Sequence, residues 1–296
     1  MSDYLPELDT AMEYFFDTVI LPGDSLIVIT PMKTYRLRSE DFAGIPKSRT
    51  KDELLGKLRK DILLGSSEYR KLIRELETAL LGDESLEEKI EIYSSYSARL
   101  ESLRNVDEKS LVQFADFLKR SPGQKYVYLF YQKERVPKID WKELMRIMST
   151  NQDNFGLIIR LMDLFQHFSR DVGFNTAAVK KAYADSSIAV HFLFLTKTPA
   201  TDLEIESLRP SGMAMTEQSE DIFSAFNEVA AATGGISDSS ANAASAFQRA
   251  VSASENYYLV YYKPQDYKAD GKFHELKVNV KAGNYRIAHR AGYIAK

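Results

Sequence analysis

Four consecutive residues with polar side-chain groups stand at the end of the most strand-like part of the sequence. They are Tyr131, Gln132, Lys133 and Glu134. That part, residues 125–134 (K-Y-V-Y-L-F-Y-Q-K-E), is dense in aromatic and β-branched residues and has helical patterns on both sides. Such a run is typical of a buried parallel strand with helices packed on both faces. Because open α/β folds place ligands at the carboxyl ends of their strands, we expect these four residues to form a possible binding edge.

The histidines give no metal pattern. They stand at positions 167, 191, 274 and 289, and none is three or four residues from another. His191 lies inside an apolar run at 187–195 that predicts a second buried strand, so a hydrogen-bonded core role is favoured over a catalytic base. The chain has no cysteine, which excludes disulfides, thiolate ligands and a cysteine nucleophile. Glycine-rich phosphate loops and a G-x-S-x-G elbow are also absent.

The overall composition narrows the class of partner. A chain of 296 residues with 44% hydrophobic and 27% charged residues can bury a substantial core. Its net charge of −3 is too small to favour nucleic acid or an anionic membrane surface. No apolar run is long enough for membrane insertion, and the acidic start after Met1 lacks a signal-peptide pattern. We therefore expect a globular chain that binds no nucleic acid and does not insert into a membrane.

The order of elements predicts the fold. Two short strands follow an N-terminal helix, and strands then alternate with helices. This order predicts an α/β fold with a mainly parallel sheet and helices on both faces. We expect an α/β domain at 1–255, with a charged helical insertion at 50–120, and an antiparallel β extension at 256–296.

Local signals set the expected boundaries. Capping boxes at Thr50/Glu53 and Ser85/Glu88 start helices, and Gly65-Ser66-Ser67 is expected to break one. Asp107 and Asn175 are each expected to cap a further helix. Pro137 is expected to interrupt the chain after the central strand. The run 196–215 is expected to be a connection, and Ser237 or Asp238 is expected to cap the last helix.

The C-terminal part predicts three strands, at 257–262, 273–280 and 285–289, joined by turns at Asp270-Gly271 and Gly283-Asn284. Tyrosines alternate along the first of these strands. One face is expected to join the core, and the other is a possible contact surface. Trp141 stands alone close to Pro137, and core packing is the expectation for it.

Several stretches together resemble one family. They are 4–8 (Y-L-P-E-L), 21–30 (L-P-G-D-S-L-I-V-I-T), 222–235 ending in T-G-G, 256–264 (N-Y-Y-L-V-Y-Y-K-P), 270–278 (D-G-K-F-H-E-L-K-V) and 290–293 (R-A-G-Y). In these stretches the chain resembles the von Willebrand factor A-type (VWA) domains, in particular the bacterial VWFA-related subgroup. The resemblance implies a VWA/Rossmann-like fold and a protein-binding module of the adhesion type with an unidentified protein partner, placed outside the cytoplasm or secreted. Intact members bind through a divalent cation held by an Asp-x-Ser-x-Ser loop, a hydroxyl from a second loop and an aspartate from a third.

This chain departs from that metal pattern. The first strand and its Asp-x-Ser-x-Ser loop would lie upstream of Met1, so we expect a truncated start. Ser66 or Ser67 is the nearest match to the second-loop hydroxyl, and Gln132 stands where the third loop would place its carboxylate. A neutral amide beside Lys133 disfavours a dication. We expect a degenerate or absent metal site, no cofactor, and Mg²⁺ only if an upstream metal loop exists.

Other functions stay open at this stage. The truncated chain could be part of a metal-dependent adhesion module. An enzyme on a doubly wound scaffold would need chemistry near Thr30, Gln132 and Thr196, where the sequence offers only Lys133, Glu134 and Asp202. A structural protein could instead carry its contact on the helical block 50–120.

Overall fold

The computed structural model describes residues 4–38, 40–41, 45–103, 107–166, 175–197, 213–255, 258, 260–264, 267–281, 283 and 287–295. They form a mixed α/β structure that divides into two compact units. The first unit comprises Met1–Asn105, Lys133–Arg170 and Lys197–Ser219, and the second comprises Val106–Gln132, Asp171–Thr196 and Glu220–Lys296. Both units draw on separate parts of the range 1–255, and the second also includes residues 256–296.

The first unit is mostly helical. Its helices are α1 (Leu5–Tyr14, followed by a π-helical turn at Phe15–Val19), α2 (Lys47–Leu81), α3 (Leu86–Leu103), α5 (Trp141–Thr150) and α6 (Phe155–Gln166). Its strands are β1 (Leu26–Ile29), β2 (Thr34–Leu37), β4 (Arg135–Ile139) and β6 (Met213–Glu217). None of the helices within the described ranges, in either unit, is long and apolar enough to cross a membrane.

Helix α2 corrects two predictions. It runs without interruption through Gly65, Ser66 and Ser67, so the expected break there is wrong. A helical glycine costs only about 1 kcal/mol relative to alanine, and the buried residues before and after the break outweigh that cost. The helix also starts before Thr50, because the backbone N–H groups of Arg49 and Thr50 donate to the Pro46 carbonyl. The capping box at Ser85 and Glu88 is confirmed by bonds in both directions.

Helices α2 and α3 pack against each other through an apolar cluster formed by Leu72, Ile73, Leu76, Tyr93 and Leu100. Tyr93 and Leu76 are fully buried. This cluster begins only a few residues after Ser67, which explains why the helix continues across the polar Gly-Ser-Ser sequence. Burial of an amphipathic face stabilises a helix more than the propensity of single residues does.

The N-terminal part packs on the first half of α2. Strands β1 and β2 pair antiparallel, with Leu26 opposite Leu37. Asp61 of α2 accepts hydrogen bonds from Thr30 Oγ1 at 2.7 Å and from the Tyr35 hydroxyl at 2.8 Å. These bonds tie both strands to the helix. The helix and two strands predicted for this region are confirmed.

Pro137 does not interrupt the chain. It lies within β4, which pairs antiparallel with β6 and places Pro137 opposite Met215. A two-stranded ribbon tolerates proline because each strand has an outer edge that donates no ladder bond. The strand β6 occupies the end of the run that was expected to be a connection. Residues 198–212, including Asp202, lie outside the described residues.

The second unit contains the parallel sheet. Its helices are α4 (Glu108–Arg120), α7 (Thr176–Asp185), α8 (Glu220–Thr233) and α9 (Ala243–Glu255). Its strands are β3 (Lys125–Gln132), β5 (Ile188–Leu195), β7 (Ser237–Ser240), β8 (Phe273–Glu275) and β9 (Gly292–Ile294). The predicted caps Asp107 and Asn175 accept from the backbone N–H groups of Ser110 and Ala178.

Strand β5, and not β3, is the centre of this sheet. The order is β3-β5-β7, both pairs are parallel, and Tyr131 lies opposite Phe194. The side chains of β5 are almost all buried, whereas those of β3 are mostly half-buried. The parallel arrangement is confirmed, but the expectation that residues 125–134 form the buried central strand is wrong. The apolar run 187–195 has that position instead.

Helices cover both faces of β5. Val190, Phe192 and Phe194 pack in one cluster with residues of α4, α7 and α8. On the opposite face, His191 contacts Ser254 of α9, and Tyr128 of β3 contacts Phe247. The alternation of side chains along a strand distributes successive residues to the two faces.

Strand β7 contradicts the prediction that Ser237 or Asp238 caps a helix. Residues Ser237–Ser240 continue the sheet, with Phe192 opposite Ser237. The helix begins later, and Asn242 caps it by accepting from the Ser245 N–H at 2.9 Å. Serine and aspartate have low strand propensity, so pairing with β5 decides the conformation here.

The C-terminal strands are shorter than predicted. Strand β8 covers only the start of 273–280 and pairs antiparallel with β9. Strand β9 itself was not predicted. The described residues of 257–262, namely 258 and 260–262, form no strand, and neither do residues 287–289. Residues 257, 259, 285 and 286 lie outside the described residues.

Candidate functional site

The carboxyl ends of the parallel strands form one edge of the second unit. Gln132 ends β3, Thr196 follows β5, and Ser240 ends β7. The Thr196 backbone N–H donates to the Ser240 carbonyl at 2.9 Å, which extends the pairing beyond β5. Ser240 Oγ at this edge donates to the Asn242 carbonyl and accepts from the Asn242 N–H, so its hydroxyl supports the start of α9.

The four residues of the expected binding edge do not stay together in one unit. Tyr131 and Gln132 complete β3 in the second unit, while Lys133 and Glu134 belong to the first unit. Lys133 Nζ lies 3.3 Å from Glu217 Oε2. The Glu134 N–H donates to Ser219 Oγ at 2.7 Å, and its carbonyl accepts from the Gln218 N–H at 3.1 Å. Lys133 and Glu134 thus hold the β4–β6 ribbon together.

The residues matched to a metal site belong to two different units. Ser66 and Ser67 lie in the middle of α2 in the first unit, and Gln132 lies at the end of β3 in the second. The Ser66 carbonyl accepts from Arg70 Nε one turn later. Among the described residues, no group of three or more histidine, aspartate or glutamate side chains is arranged to hold a metal ion. The degenerate or absent metal site stays a prediction from the sequence.

His191 has a defined role in the core. Its Nδ1 accepts from the Ile236 N–H at 3.3 Å, and its Nε2 lies 2.8 Å from Ser254 Oγ. The Ser254 hydroxyl donates to the Ala250 carbonyl, so it accepts from His191, and Nε2 carries the hydrogen. Burial lowers the pKa of His191 to about 4. The ring is thus a neutral link between β5, β7 and α9, as the sequence predicted.

The T-G-G turn between α8 and β7 also has a structural role. The buried Thr233 hydroxyl accepts from the Val190 N–H at 3.0 Å and donates back to α8. Gly234 has a positive φ of 76°, which favours glycine. A Cβ at Gly235 would lie 1.9 Å from the Val190 carbonyl oxygen, so only glycine allows this approach to β5.

Two apolar stripes on α5 and α6 were not predicted. Trp141 and Met145, one turn apart on α5, are 66% and 45% exposed, and Phe155 and Ile159 on α6 are 70% and 43% exposed. The opposite faces of both helices pack on Ile90 of α3. The expectation that Trp141 packs in the core is wrong, because Ile147 and Leu144 define the buried face. The four-residue spacing of Trp141 and Met145 was the available sequence signal.

No protein-family model, no curated protein and no solved structure matches this chain.

Proposed function

We propose that this chain is a protein–protein interaction module of the VWA type that binds its partner without a divalent cation. The observation that carries the proposal is the pair of exposed stripes on α5 and α6, centred on Trp141 and Phe155. Exposed large aromatic residues in contiguous apolar surface are typical of binding sites, and tryptophan is enriched among the residues that dominate binding energy. The resemblance of both ends of the sequence to VWA domains supports the module type.

The charges beside the stripes indicate the chemistry of the partner. Lys142 and Arg160 are exposed and stand next in sequence to Trp141 and Ile159. Arg146 is exposed as well, although Glu143 pairs with it and lowers its net effect. A partner with an apolar face and acidic residues around it would match this surface, because complementary charges at the rim increase the association rate.

Independence from metal follows from the groups at the third-loop position. Gln132 offers a neutral oxygen, and the adjacent Lys133 brings a positive charge that Glu217 pairs with. An aspartate pattern that would favour a dication is missing from this position. The apolar stripes offer an alternative source of binding energy, since burial of apolar surface needs no ion. No observation on the described residues favours the enzyme class, and placement outside the cytoplasm stays an expectation from the resemblance.

Trp141 is the only tryptophan in the chain, so its fluorescence reports on this surface directly. We suggest titrating the chain with a synthetic amphipathic helical peptide that has leucines on one face and glutamates along its flanks. The proposal predicts a blue shift of Trp141 emission, unchanged when EDTA replaces Mg²⁺. A peptide with lysines in place of the glutamates should bind more weakly.

Variants separate this surface from general stickiness. Met145→Asp and Ile159→Asp each place a charge within a stripe while keeping Trp141, and both should abolish the blue shift. Leu63→Asp is the matched control, because Leu63 is an exposed leucine on another helix of the same unit and should leave binding unchanged. A shift that requires Mg²⁺, or that survives both stripe variants, would refute the proposal.

A further inference from the structure

The described residues of the segment 257–262, namely 258 and 260–262, expose an unusual amount of apolar surface. Tyr258 is 97% exposed, Val260 is 73% exposed and Tyr261 is 85% exposed. Exposed apolar residues are ordinary when single, but a run of adjacent ones marks a contact surface. This segment belongs to the second unit and is separate from the stripes on α5 and α6.

One end of the segment is held in place. The Tyr262 ring packs edge-on against Tyr293 of β9, with 6.2 Å between ring centroids, and Tyr293 in turn stacks on His274 of β8. Burial and the hydrogen bond with Tyr293 both raise the pKa of Tyr262. The β8–β9 pair thus anchors the segment at Tyr262. The exposed Tyr258 and Tyr261 precede this anchor in the sequence.

The composition of the segment is that of a strand. Tyrosine and valine are among the residues with the highest strand propensity, and the described residues 258 and 260–262 nevertheless pair with no strand. A strand-forming segment with an unpaired backbone is a template for pairing with another chain.

The sequence of the segment identifies which chain. It reads Y-Y-L-V-Y-Y, which is nearly the same in both directions. A twofold axis between positions 259 and 260 would pair two copies antiparallel, with Tyr258 opposite Tyr261 and Tyr257 opposite Tyr262. Twofold interfaces require this kind of self-complementarity, in which residue i contacts j and j contacts i.

The charges at the two ends agree with the antiparallel arrangement. Glu255 closes α9 before the segment and Lys263 follows it, and both are exposed. Antiparallel pairing brings these opposite charges together at each end, whereas parallel pairing would place like charges side by side. The net charge of −3 is too small to keep two copies apart.

We propose that residues 257–262 pair antiparallel with the same residues of a second copy of this chain, and that this strand pair forms a homodimer interface. The pairing supplies backbone hydrogen bonds to a segment whose described residues pair with no strand, and buries tyrosine against tyrosine across the twofold axis. It is independent of the proposed partner surface on α5 and α6.

A charge exchange tests both the interface and its register. In the chain carrying Tyr258→Lys and Tyr261→Lys, lysine faces lysine in the proposed dimer. In the chain carrying Tyr258→Glu and Tyr261→Lys, each glutamate faces a lysine, whereas a parallel pair would place glutamate against glutamate. Val280→Lys is the control, because Val280 is half-exposed in the same unit but outside the segment.

Sedimentation equilibrium over a wide dilution series gives the dimer dissociation constant. The wild type, the Glu/Lys chain and the Val280→Lys control should all dimerise, while the Lys/Lys chain should dissociate at least about tenfold more readily. A wild type that stays monomeric throughout would overturn the proposal. So would a Lys/Lys chain that dimerises as well as the wild type, or a Glu/Lys chain that behaves like the Lys/Lys chain.

Discussion

Strand β5 and residues 257–262 are two apolar, strand-forming sequences with opposite outcomes. β5 lies between two parallel neighbours and beneath helices on both faces, and Phe192 at its centre is fully buried. The described residues of the segment 257–262 have no strand neighbour, and most of their side chains face solvent. The difference shows that strand propensity acts only where a neighbouring strand and a covering helix complete the structure.

Strand β7 gives the converse case. Its sequence, S-D-S-S, has weak strand propensity, yet it pairs with β5 because the T-G-G turn places it there. Position beside a partner strand therefore outweighs composition in both directions. Gly235 is the position on which β7 most depends.

Gly235→Ala should have the largest effect. The added Cβ would meet the Val190 carbonyl oxygen at 1.9 Å and the carbonyl carbon at 2.6 Å, both in the backbone of the central strand. Since neither group is at the end of a flexible side chain, we expect a loss of about 4 kcal/mol or more in the free energy of unfolding. Urea denaturation followed by circular dichroism measures this loss.

Gly56→Ala is the matched control for that substitution. A Cβ at Gly56 meets no atom within 4 Å, and the residue lies inside α2. Alanine should there raise the unfolding free energy by about 0.5–1 kcal/mol, because glycine is the poorer helix former. Equal destabilisation by the two substitutions would show that the close approach to β5 is not what requires glycine.

His191 should make the stability depend on pH. Its pKa is about 4 in the folded protein, against about 6.5 in an unfolded chain. Well above pH 6.5 the imidazole is neutral in both states, and the free energy of unfolding does not depend on it. As the pH falls towards 4, the unfolded state takes up a proton that the folded state refuses, so the folded state loses about 2 kcal/mol by pH 5.

The His191→Phe variant isolates this contribution from that of the carboxylates. Unfolding free energies of both proteins are measured from pH 8 to pH 5, and the wild type should decline more steeply by the amount given above. Parallel curves would mean that His191 takes up protons in the folded state as easily as in the unfolded state.

Asn242→Ala should cost about 1 kcal/mol, because the side chain accepts from the Ser245 N–H and no other group replaces that bond at the helix start. Ser237→Ala, at the position first expected to cap this helix, should change stability less. Thermal denaturation of the two variants compares them directly, and the reverse order would place the helix start at β7.

Tyr261→Ser should have the smallest effect on a dilute sample. The side chain is mostly exposed, and surface substitutions of this kind change the unfolding free energy by less than about 0.5 kcal/mol. At high concentration the same substitution should lower the melting temperature, because dimerisation stabilises the wild type by mass action. An equal effect at all concentrations would contradict a role between copies.

Local chemistry explains which parts of the fold could be predicted from the sequence. The caps at Ser85, Asp107 and Asn175 involve bonds within one helical turn, and they were predicted correctly. The run 187–195 was predicted as a strand because nearly every residue in it is apolar. The core role of His191 followed from its place within that run.

The misassigned elements depend on residues distant in sequence. Ser66 and Ser67 stay helical because Leu72 and Leu76 pack on α3, and Pro137 stays in a strand because β6 returns to pair with it. Lys133 was expected at a free edge, but its partner Glu217 is far along the chain. The exposed stripe at Trp141 was missed because a lone tryptophan usually packs in a core.

Hydrogen exchange resolved to peptide segments tests the difference between β5 and residues 257–262 most directly. We expect the amides of β5 to be protected at every protein concentration. Those of residues 258–263 should exchange freely in dilute solution and become protected as concentration rises. Full protection of residues 258–263 in the most dilute sample would contradict pairing between copies. It would show that the segment already has a strand partner within its own chain.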